Sequence, residues 1–174
     1  MARAGSLRAD ADDYDQFFLR WEPQVRRYLL WLEGDHSVID DAAQETMLAA
    51  HTYWDFVNHL DKPQAWLFKV AGQRLQRVHA SRQRHGLSTD PGELPQSEGP
   101  NDVGLREREL VLLEAMRKLP GRQRTAMALR WQLDLPNDEI ATVMGVSVNT
   151  VKTCLRLGRD TLKTLVADVS GGER

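Results

Sequence analysis

The spacing of apolar residues predicts helices along most of this chain. Between residues 15 and 32, apolar side chains recur every three or four positions, which is the period of one helix face. This stripe consists of Phe18, Trp21, Val25, Tyr28, Leu29 and Leu32. The sequence shows no sustained alternation of apolar and polar positions, the signature of a β-strand. The pattern therefore predicts an all-α protein.

The remaining apolar spacing predicts further helices. A second helix is expected to run from Ser37, as its N-cap, to about Phe56. Its buried stripe would consist of Ile39, Ala42, Ala43, Thr46, Met47 and Ala50. Pro63 suits the first turn of a third helix, which continues past Val78. Helices over 105–119 and 120–131 follow, and two more lie on either side of Gly145.

Residues 87–104 interrupt this periodicity. They contain Pro91, Pro95 and Pro100 and few apolar side chains. Proline stops a helix, and a segment with little apolar surface gains little by packing. The sequence therefore predicts two small helical domains, 10–86 and 105–168, joined by a flexible acidic linker. A long surface loop within one domain is the alternative, although structureless loops of this length are uncommon in compact domains.

The C-terminal domain contains the pattern of a helix-turn-helix, in the stretch EIATVMGVSVNTVKTCLRLGRD, residues 139–160. A tight turn between two helices favours glycine because one residue takes a positive φ, and Gly145 would be that residue. Ala141 would let the helices approach, and Val151 would pack into the angle between them. Ser147 is placed to cap the second helix. The C-terminal domain is therefore predicted to be a helix-turn-helix.

The second helix of this motif would expose polar and basic side chains suited to the major groove of DNA. Lys and Arg can contact guanine acceptors or phosphates, and Asn and Thr can contact base edges. The predicted set is Ser147, Asn149, Thr150, Lys152, Thr153, Arg156 and Arg159. An ordinary helical hairpin whose charges are merely solvated is the alternative.

Charge changes sign in blocks along the chain, although the formal net charge is only −2. Residues 10–45 hold ten acids against three arginines, whereas residues 61–86 hold six bases against one acid. Residues 87–104 hold four acids and no base, and residues 120–165 hold seven bases against four acids. The two basic blocks can meet nucleic-acid phosphates, and the acidic blocks cannot. The alternation indicates separate surfaces for separate partners.

The basic block of the third helix mixes aromatic and charged residues. Aromatic rings can stack on unpaired bases while Lys and Arg follow the phosphates, so this helix is a candidate surface for single-stranded DNA. Trp66 and Phe68 also fit the apolar spacing of the helix, and Trp66 is expected to lie in the core. For the charged residues, a solvated basic face is the alternative.

The sequence offers few other candidates for chemistry. Cys154 is the single cysteine, so no intrachain disulfide can form, and the five histidines lack zinc-ligand spacing. No phosphate-binding glycine loop or nucleophile motif is visible, so we expect neither an enzyme nor a cofactor or metal. No apolar run approaches the roughly 18 residues of a membrane span, and the N-terminus lacks the apolar core of a secretory signal. A cytoplasmic protein is expected.

Three stretches together resemble the extracytoplasmic-function (ECF) sigma factors of bacterial RNA polymerase. The acidic second helix of that family is similar to DHSVIDDAAQETMLAAHTYW, and its tryptophan-leucine helix is similar to AWLFKVAGQRLQRVHASR. Its C-terminal promoter-reading domain is similar to LPGRQRTAMALRWQLDLPNDEIATVMGVSVNTVKTCLRLGRDTL. Order, spacing and the intervening linker match as well, so the resemblance covers nearly the whole chain.

The resemblance implies an alternative sigma factor that binds core RNA polymerase and directs initiation at promoters with specific −10 and −35 elements. Docking on the clamp coiled coil of the largest subunit would use Asp40, Asp41, Gln44 and Glu45. The −10 element, where a base is flipped out, would be bound by Asn58, Lys62, Lys69, Gln73, Arg74, Arg77 and Arg82. The C-terminal domain would read the −35 duplex and contact the polymerase flap. An anti-sigma factor is a further partner in the family, and no membrane is implied.

The chain departs from the family pattern at several positions. Gln73 and Arg77 stand where the family usually has Asn and Asp, so the −10 contacts are expected to differ. Cys154 replaces a frequent basic residue and is expected to face the core. Leu157 and Gly158 replace a usual Arg-Ala pair, and Gly158 would weaken the helix by up to roughly 1 kcal/mol relative to Ala. An unusual promoter sequence or weaker binding is expected.

Two other functions remain open on the sequence alone. One is a free-standing helix-turn-helix transcriptional regulator whose N-terminal domain dimerises or senses a signal. The other is a sigma-like decoy that binds polymerase without initiating transcription, an alternative that Gln73 and Arg77 keep open.

Overall fold

The structure, a computed structural model, describes the backbone of residues 3–86 and 103–171 and the side chains of residues 13–86 and 109–167. Within these ranges the chain forms helices and no strand, which confirms the all-α prediction. The helices are α1 (Arg3–Leu32), α2 (His36–Thr52), α3 (Trp54–Val57), α4 (Pro63–Arg84), α5 (Val103–Lys118), α6 (Gly121–Leu133), α7 (Asn137–Met144) and α8 (Val148–Gly171). Most of the predicted linker, residues 87–102, lies outside the described residues.

Both ends of α2 differ from the prediction. Asp35, not Ser37, is the N-cap: its Oδ1 accepts hydrogen bonds from the backbone N–H groups of Ser37 at 2.9 Å and Val38 at 3.4 Å. Ser37 instead donates its hydroxyl to the same oxygen at 2.6 Å. The hydrogen bond from this hydroxyl is the main reason that the pKa of the Asp35 carboxyl is lowered. The carboxyl therefore stays negatively charged at the positive, N-terminal end of the helix. At the other end the helix stops before Tyr53, and the short α3 follows.

The first half of the chain packs α1, α2 and α4 around a common core. The predicted stripe of α2 is buried throughout, and Val25, Tyr28 and Leu29 of α1 are buried as predicted. Phe18, predicted in the α1 stripe, is 38% exposed, whereas its neighbour Phe17 packs against the core. A helix turns by roughly 100° per residue, so only one of two adjacent aromatic residues can point inward. The spacing argument selects the wrong one.

In the second half of the chain, α7 and α8 form the predicted helix-turn-helix. α6 packs against both of these helices, and α5 packs against α8. Gly145 ends α7 with a φ of 64°, which confirms the prediction of a positive φ in the turn. Ala141 and Val151 are buried in the angle between α7 and α8. Ser147 Oγ accepts a hydrogen bond from the backbone N–H of Thr150 at 3.1 Å, as its predicted capping role requires. The turn therefore forms as its residue types predict.

α8 approaches α6 closely at Gly158. A β-carbon at this position would lie 2.9 Å from Cγ and 3.3 Å from Sδ of Met127, which is fully buried. One turn earlier, Cys154 is 8% exposed and faces the same core, as predicted. The low helix propensity of Gly158 is therefore accompanied by a close helix–helix contact, which the sequence pattern does not reveal.

The two halves contact each other, which the prediction of separate domains does not include. Trp31 is 6% exposed, and its ring lies edge-on to that of Trp131 with centroids 6.2 Å apart. Arg124 of α6 donates from Nη1 to the carbonyl oxygen of Leu32 at 2.8 Å, at the C-terminal end of α1. In addition, α7 packs on α4. The buried side chains of the two halves therefore form one continuous cluster.

Gly158→Ala should destabilise the folded protein. Helix propensity favours Ala by about 1 kcal/mol, but overpacking a core typically costs about 1–3 kcal/mol, and the added carbon would press on Met127. We expect a net loss of about 1 kcal/mol in the free energy of unfolding, measured by urea denaturation. Gly121→Ala is the matched control, because a β-carbon there meets nothing within 4 Å. A Gly158→Ala variant as stable as the wild type would contradict this account.

Candidate nucleic-acid and polymerase interfaces

α8 exposes the predicted DNA-reading row because its opposite face is buried. Val151 and Cys154 face the core, and Thr150 is half-buried at the edge. The other members of the row are exposed: Ser147, Asn149, Lys152, Thr153, Arg156 and Arg159. Arg156 lies 3.8 Å from Asp160, one turn along the helix, and an exposed pair of this kind contributes little stability. The row is therefore open to a phosphate or a base edge.

A basic cleft beside this row contains residues that the sequence analysis missed. It has a volume of about 580 Å³ and is lined by Arg130, Trp131, Asp134, Asn137, Lys152, Leu155 and Arg159. The Arg130 guanidinium donates a hydrogen bond to Oδ1 of Asn137, which ties the end of α6 to the start of α7. Three bases around one cleft can hold a DNA phosphate. The excess of bases over residues 120–165 was the available signal, since Arg130 belongs to it.

The predicted −10 residues lie along α4 and the loop before it, with different exposure. Arg74 and Arg82 are half-buried. The others are exposed: Asn58, Lys62, Lys69, Gln73 and Arg77. Lys69 and Gln73 line a cleft of about 630 Å³ between the two halves, whose other wall includes Met144 and Gly145. Part of the predicted −10 surface therefore faces the helix-turn-helix.

Lys62 pairs with two carboxylates of α7, a contact that the sequence analysis missed. Its Nζ lies 2.8 Å from Oε1 of Glu139 and 3.8 Å from Oδ2 of Asp138. The hydrogen bond with Glu139 raises the pKa of the Lys62 ammonium group, which stays charged. The Glu139 side chain is 12% exposed, and its Oε2 has no hydrogen-bond partner among the described residues. Trp66 was predicted to lie in the core but is only half-buried, because it lines the same surface cleft as Lys62 and Glu139.

The predicted polymerase-binding residues lie on the outer face of α2. Glu45 is partly exposed, and the others are exposed: Asp40, Asp41 and Gln44. Arg82 donates to Oδ2 of Asp41 at 2.8 Å, and a guanidinium nitrogen of Arg74 lies 3.8 Å from Oε2 of Glu45. Two arginines predicted to bind DNA are thus paired with two carboxylates predicted to bind polymerase. The structure brings the two predicted surfaces together along the edge between α2 and α4.

α2 also exposes an apolar residue that the sequence analysis missed. Leu48 is 63% exposed and follows Gln44 by four positions and Asp41 by seven, so it shares their face. An apolar side chain with charged neighbours resembles the centre and rim of a protein–protein interface. The sequence signal that could have revealed Leu48 was its position as an apolar residue on the polar side of an amphipathic helix.

The described part of the chain offers neither a metal site nor a membrane-spanning helix. Its side chains form no cluster of three or more His, Cys, Asp or Glu suited to a metal ion. None of its helices is both long and apolar enough to cross a membrane.

Two family models match the two halves of the chain. Sigma-70 region 2 matches residues 17–85, and Sigma-70, region 4, matches residues 109–162. The first range contains the acidic face of α2 and the basic surface of α4. The second contains the helix-turn-helix and the cleft beside it.

Curated proteins are similar over almost the full length of the chain. The ECF RNA polymerase sigma factor SigL of Mycobacterium tuberculosis (strain ATCC 25618 / H37Rv) is 28% identical over 159 residues, which cover 89% of this chain and 90% of SigL. The ECF RNA polymerase sigma factor SigM of Bacillus subtilis (strain 168) is 28% identical over 153 residues, which cover 87% of this chain and 93% of SigM.

Solved structures share the fold. The sigma factor RpoE, in complex with the anti-sigma factor NepR from Bartonella quintana, matches with a TM-score of 0.72 at 22% identity, over 93% of this chain and 99% of RpoE. CnrH, in complex with the cytosolic domain of CnrY, matches with a TM-score of 0.64 at 21% identity, over 89% of this chain and 88% of CnrH. With both sigma-70 regions in order and relatives of one class along nearly its whole length, the chain belongs to the ECF sigma factors and directs promoter-specific transcription.

Proposed function

We propose that this sigma factor docks on core RNA polymerase through the outer face of α2, binds the −10 element through α4 and the preceding loop, and reads the −35 duplex through α8. The observation that carries the proposal is the exposed basic row of α8, held outward by the burial of Val151 and Cys154. A second basic surface lies on α4, beside the acidic face of α2. Two nucleic-acid surfaces and one acidic surface suit a protein that bridges promoter and enzyme. The cytoplasm, where both partners reside, is its proposed location.

Two surfaces are proposed for polymerase. The carboxylates of α2 would dock on the clamp coiled coil of the largest subunit, with Leu48 as the apolar centre of the contact. The flap would bind an apolar groove of about 470 Å³ between α6 and α8. Trp131, which is 45% exposed, and Leu162 form part of its floor, and Lys163 lies at its edge. An exposed aromatic residue beside aliphatic ones is a typical anchor site for a partner helix.

An anti-sigma factor is a further proposed partner. The RpoE structure contains one, NepR, and RpoE has the same fold as this chain over nearly the same length. A partner of that class would bind the sigma factor in place of polymerase.

Reconstitution with core polymerase tests this function. The protein, mixed with core polymerase and a library of promoter fragments, should yield transcripts that begin at a small set of specific positions, found by sequencing their 5′ ends. Core polymerase alone is the control and should not produce these starts. Duplex binding without specific transcripts would favour a free-standing regulator, and binding to core polymerase without transcripts would favour a decoy. Either outcome would contradict the proposal.

Asp41→Lys combined with Glu45→Lys should weaken binding to core polymerase by about tenfold or more, because the reversed charges would be repelled by the surface that attracts the carboxylates. Titration of labelled protein with core polymerase measures this effect. Asp13→Lys with Asp15→Lys changes the net charge equally at exposed positions of α1 and is the matched control. Unchanged core affinity, in a double variant that unfolds like the wild type, would count against the docking surface.

Lys152→Ala combined with Arg156→Ala should lower affinity for a random-sequence DNA duplex. The slope of log affinity against log salt should fall by about 1–2, since each lost phosphate contact removes about 0.9. Arg130→Ala, added to this pair, should reduce the slope further because Arg130 lines the adjoining cleft. Arg27→Ala with Lys118→Ala removes two exposed bases from other helices and is the control. A slope equal to that of the wild type would place the duplex elsewhere on the protein.

A further inference from the structure

The cleft that Lys69 and Gln73 line has a second end, which none of the partners proposed above occupies. Its volume of about 630 Å³ lies within the range of about 300–1,000 Å³ that is typical of small-molecule sites. Along α4 the cleft extends from Lys69 to His79, a stretch of roughly 15 Å on one face of the helix. Glu33 and Arg124 line the cleft near His79. We call this part the His79 end.

The His79 end holds more positive charge than its acid can balance. Glu33 is the one acid among the described residues that line the cleft, and its Oε2 lies 2.5 Å from Nε2 of His79. Its Oε1 accepts two backbone N–H groups of the turn after α1, at 2.8 and 2.9 Å. Burial lowers the pKa of the Arg124 guanidinium, and the charge of Arg117 lowers it further against the opposing effect of Glu33. An anion in the cleft would relieve this imbalance.

The start of α6 adds backbone donors to the same end. The N-cap is Pro120, which supplies no side-chain hydrogen bond, so the first N–H groups of the helix have no partner within it. Gly121 and Arg122, in the first turn, are exposed and line the cleft. A guanidinium beside the positive end of a helix is a favourable arrangement for a phosphate group.

The hydroxyl of Tyr28 faces the cleft from a buried position. Tyr28 is 1% exposed and lines the cleft, and its Oη would lie 3.7 Å from a β-carbon placed on Gly72. Burial alone raises the pKa of this hydroxyl, without a contribution from any hydrogen bond among the described residues. A buried hydroxyl without a partner is costly, and a polar atom of a ligand would supply the missing bond. Glycine at position 72 leaves space for that atom.

The rest of the cleft suits the organic part of a ligand. Gln76 is exposed on the α4 wall, and its amide can both donate to and accept from the edge of a nucleobase. Leu32 and Met144 are half-buried and offer apolar surface. A few polar groups among apolar ones, with positive charge at one end, match a ligand that carries both a ring and phosphates.

We propose that this cleft binds a nucleoside diphosphate. The phosphates lie against Arg122, Arg124 and the first N–H groups of α6, the Tyr28 hydroxyl bonds the middle of the ligand, and the base reaches Gln76 and Met144. Every helix keeps its place, so the core that the two halves share stays intact. The site gives the sigma factor a direct response to a nucleotide, beyond its proposed contacts with polymerase and promoter, and requires neither of them.

Isothermal titration calorimetry of the full chain with ADP, GDP, CDP and UDP tests this inference. We expect at least one of them to bind with a one-to-one ratio, about tenfold or more tighter than its nucleoside, because the nucleoside lacks the charged groups. Inorganic phosphate is the second comparison and should also bind about tenfold or more weakly. No binding by any of the four diphosphates would overturn the inference. Equally tight binding of the nucleoside or of inorganic phosphate would also overturn it.

Two single substitutions locate the site. Arg122→Gln should weaken binding of that nucleotide by about tenfold, since it removes a charge-assisted contact at an exposed position. Tyr28→Phe should weaken binding about threefold or more, yet unfold in urea at no lower concentration than the wild type, because it removes an unpaired hydroxyl and keeps the buried ring. Arg27→Gln and Tyr53→Phe make the same changes at exposed positions outside the cleft and should bind like the wild type.

Two results would place the nucleotide elsewhere or assign the charge to another ligand. If Arg122→Gln and Tyr28→Phe both bind the nucleotide as the wild type does, the cleft is not its site. If Arg122→Gln weakens binding of a random-sequence DNA duplex and leaves nucleotide binding unchanged, the positive charge at the His79 end serves DNA and the inference is wrong.

Discussion

Burial of one apolar face on each helix orients the charged surfaces of this molecule. In α8, the inward positions of Val151 and Leu155 turn Lys152 and Arg156 to solvent. Buried apolar area contributes about 25 cal/mol per Å², so a face with several buried side chains outweighs an exposed ion pair worth about 0–1 kcal/mol. The rotation of each helix is therefore set by its core residues. The charged residues then act from fixed positions, and their pairings can change without refolding.

The charged surfaces neutralise one another in the free chain. Asp41 pairs with Arg82 and Glu45 with Arg74, across the edge between α2 and α4. The pairs are partly exposed, so exchanging one partner for another anion or cation requires little free energy. If a polymerase surface bound these carboxylates, the two arginines would lose these partners on the side that we propose binds DNA. Docking and promoter binding would then favour each other by linkage, without movement of either helix.

Features encoded over a few neighbouring residues could be predicted from the sequence, and contacts between distant segments could not. The positive φ of Gly145 follows from the residue types of the turn itself. The cap of α2 was misassigned because Asp35 and Ser37 are both good capping residues, and only the backbone geometry decides between them. The pairing of Lys62 with Glu139 joins segments far apart in the chain. Helix periodicity carries no information on it, because each half already buries its own apolar stripe. The exposure of most predicted site residues could be predicted from helix periodicity, whereas the pairing of these residues with one another could not.

The ring contact between Trp31 and Trp131 joins two halves that are also covalently tethered. A short covalent connection between two groups keeps them near each other at an effective concentration of roughly millimolar. The contact between the halves therefore does not depend on how dilute the protein is. A contact between two separate chains weakens when one of them is scarce. A contact within one chain has no such dependence on copy number, and each newly made molecule carries it from the moment it folds.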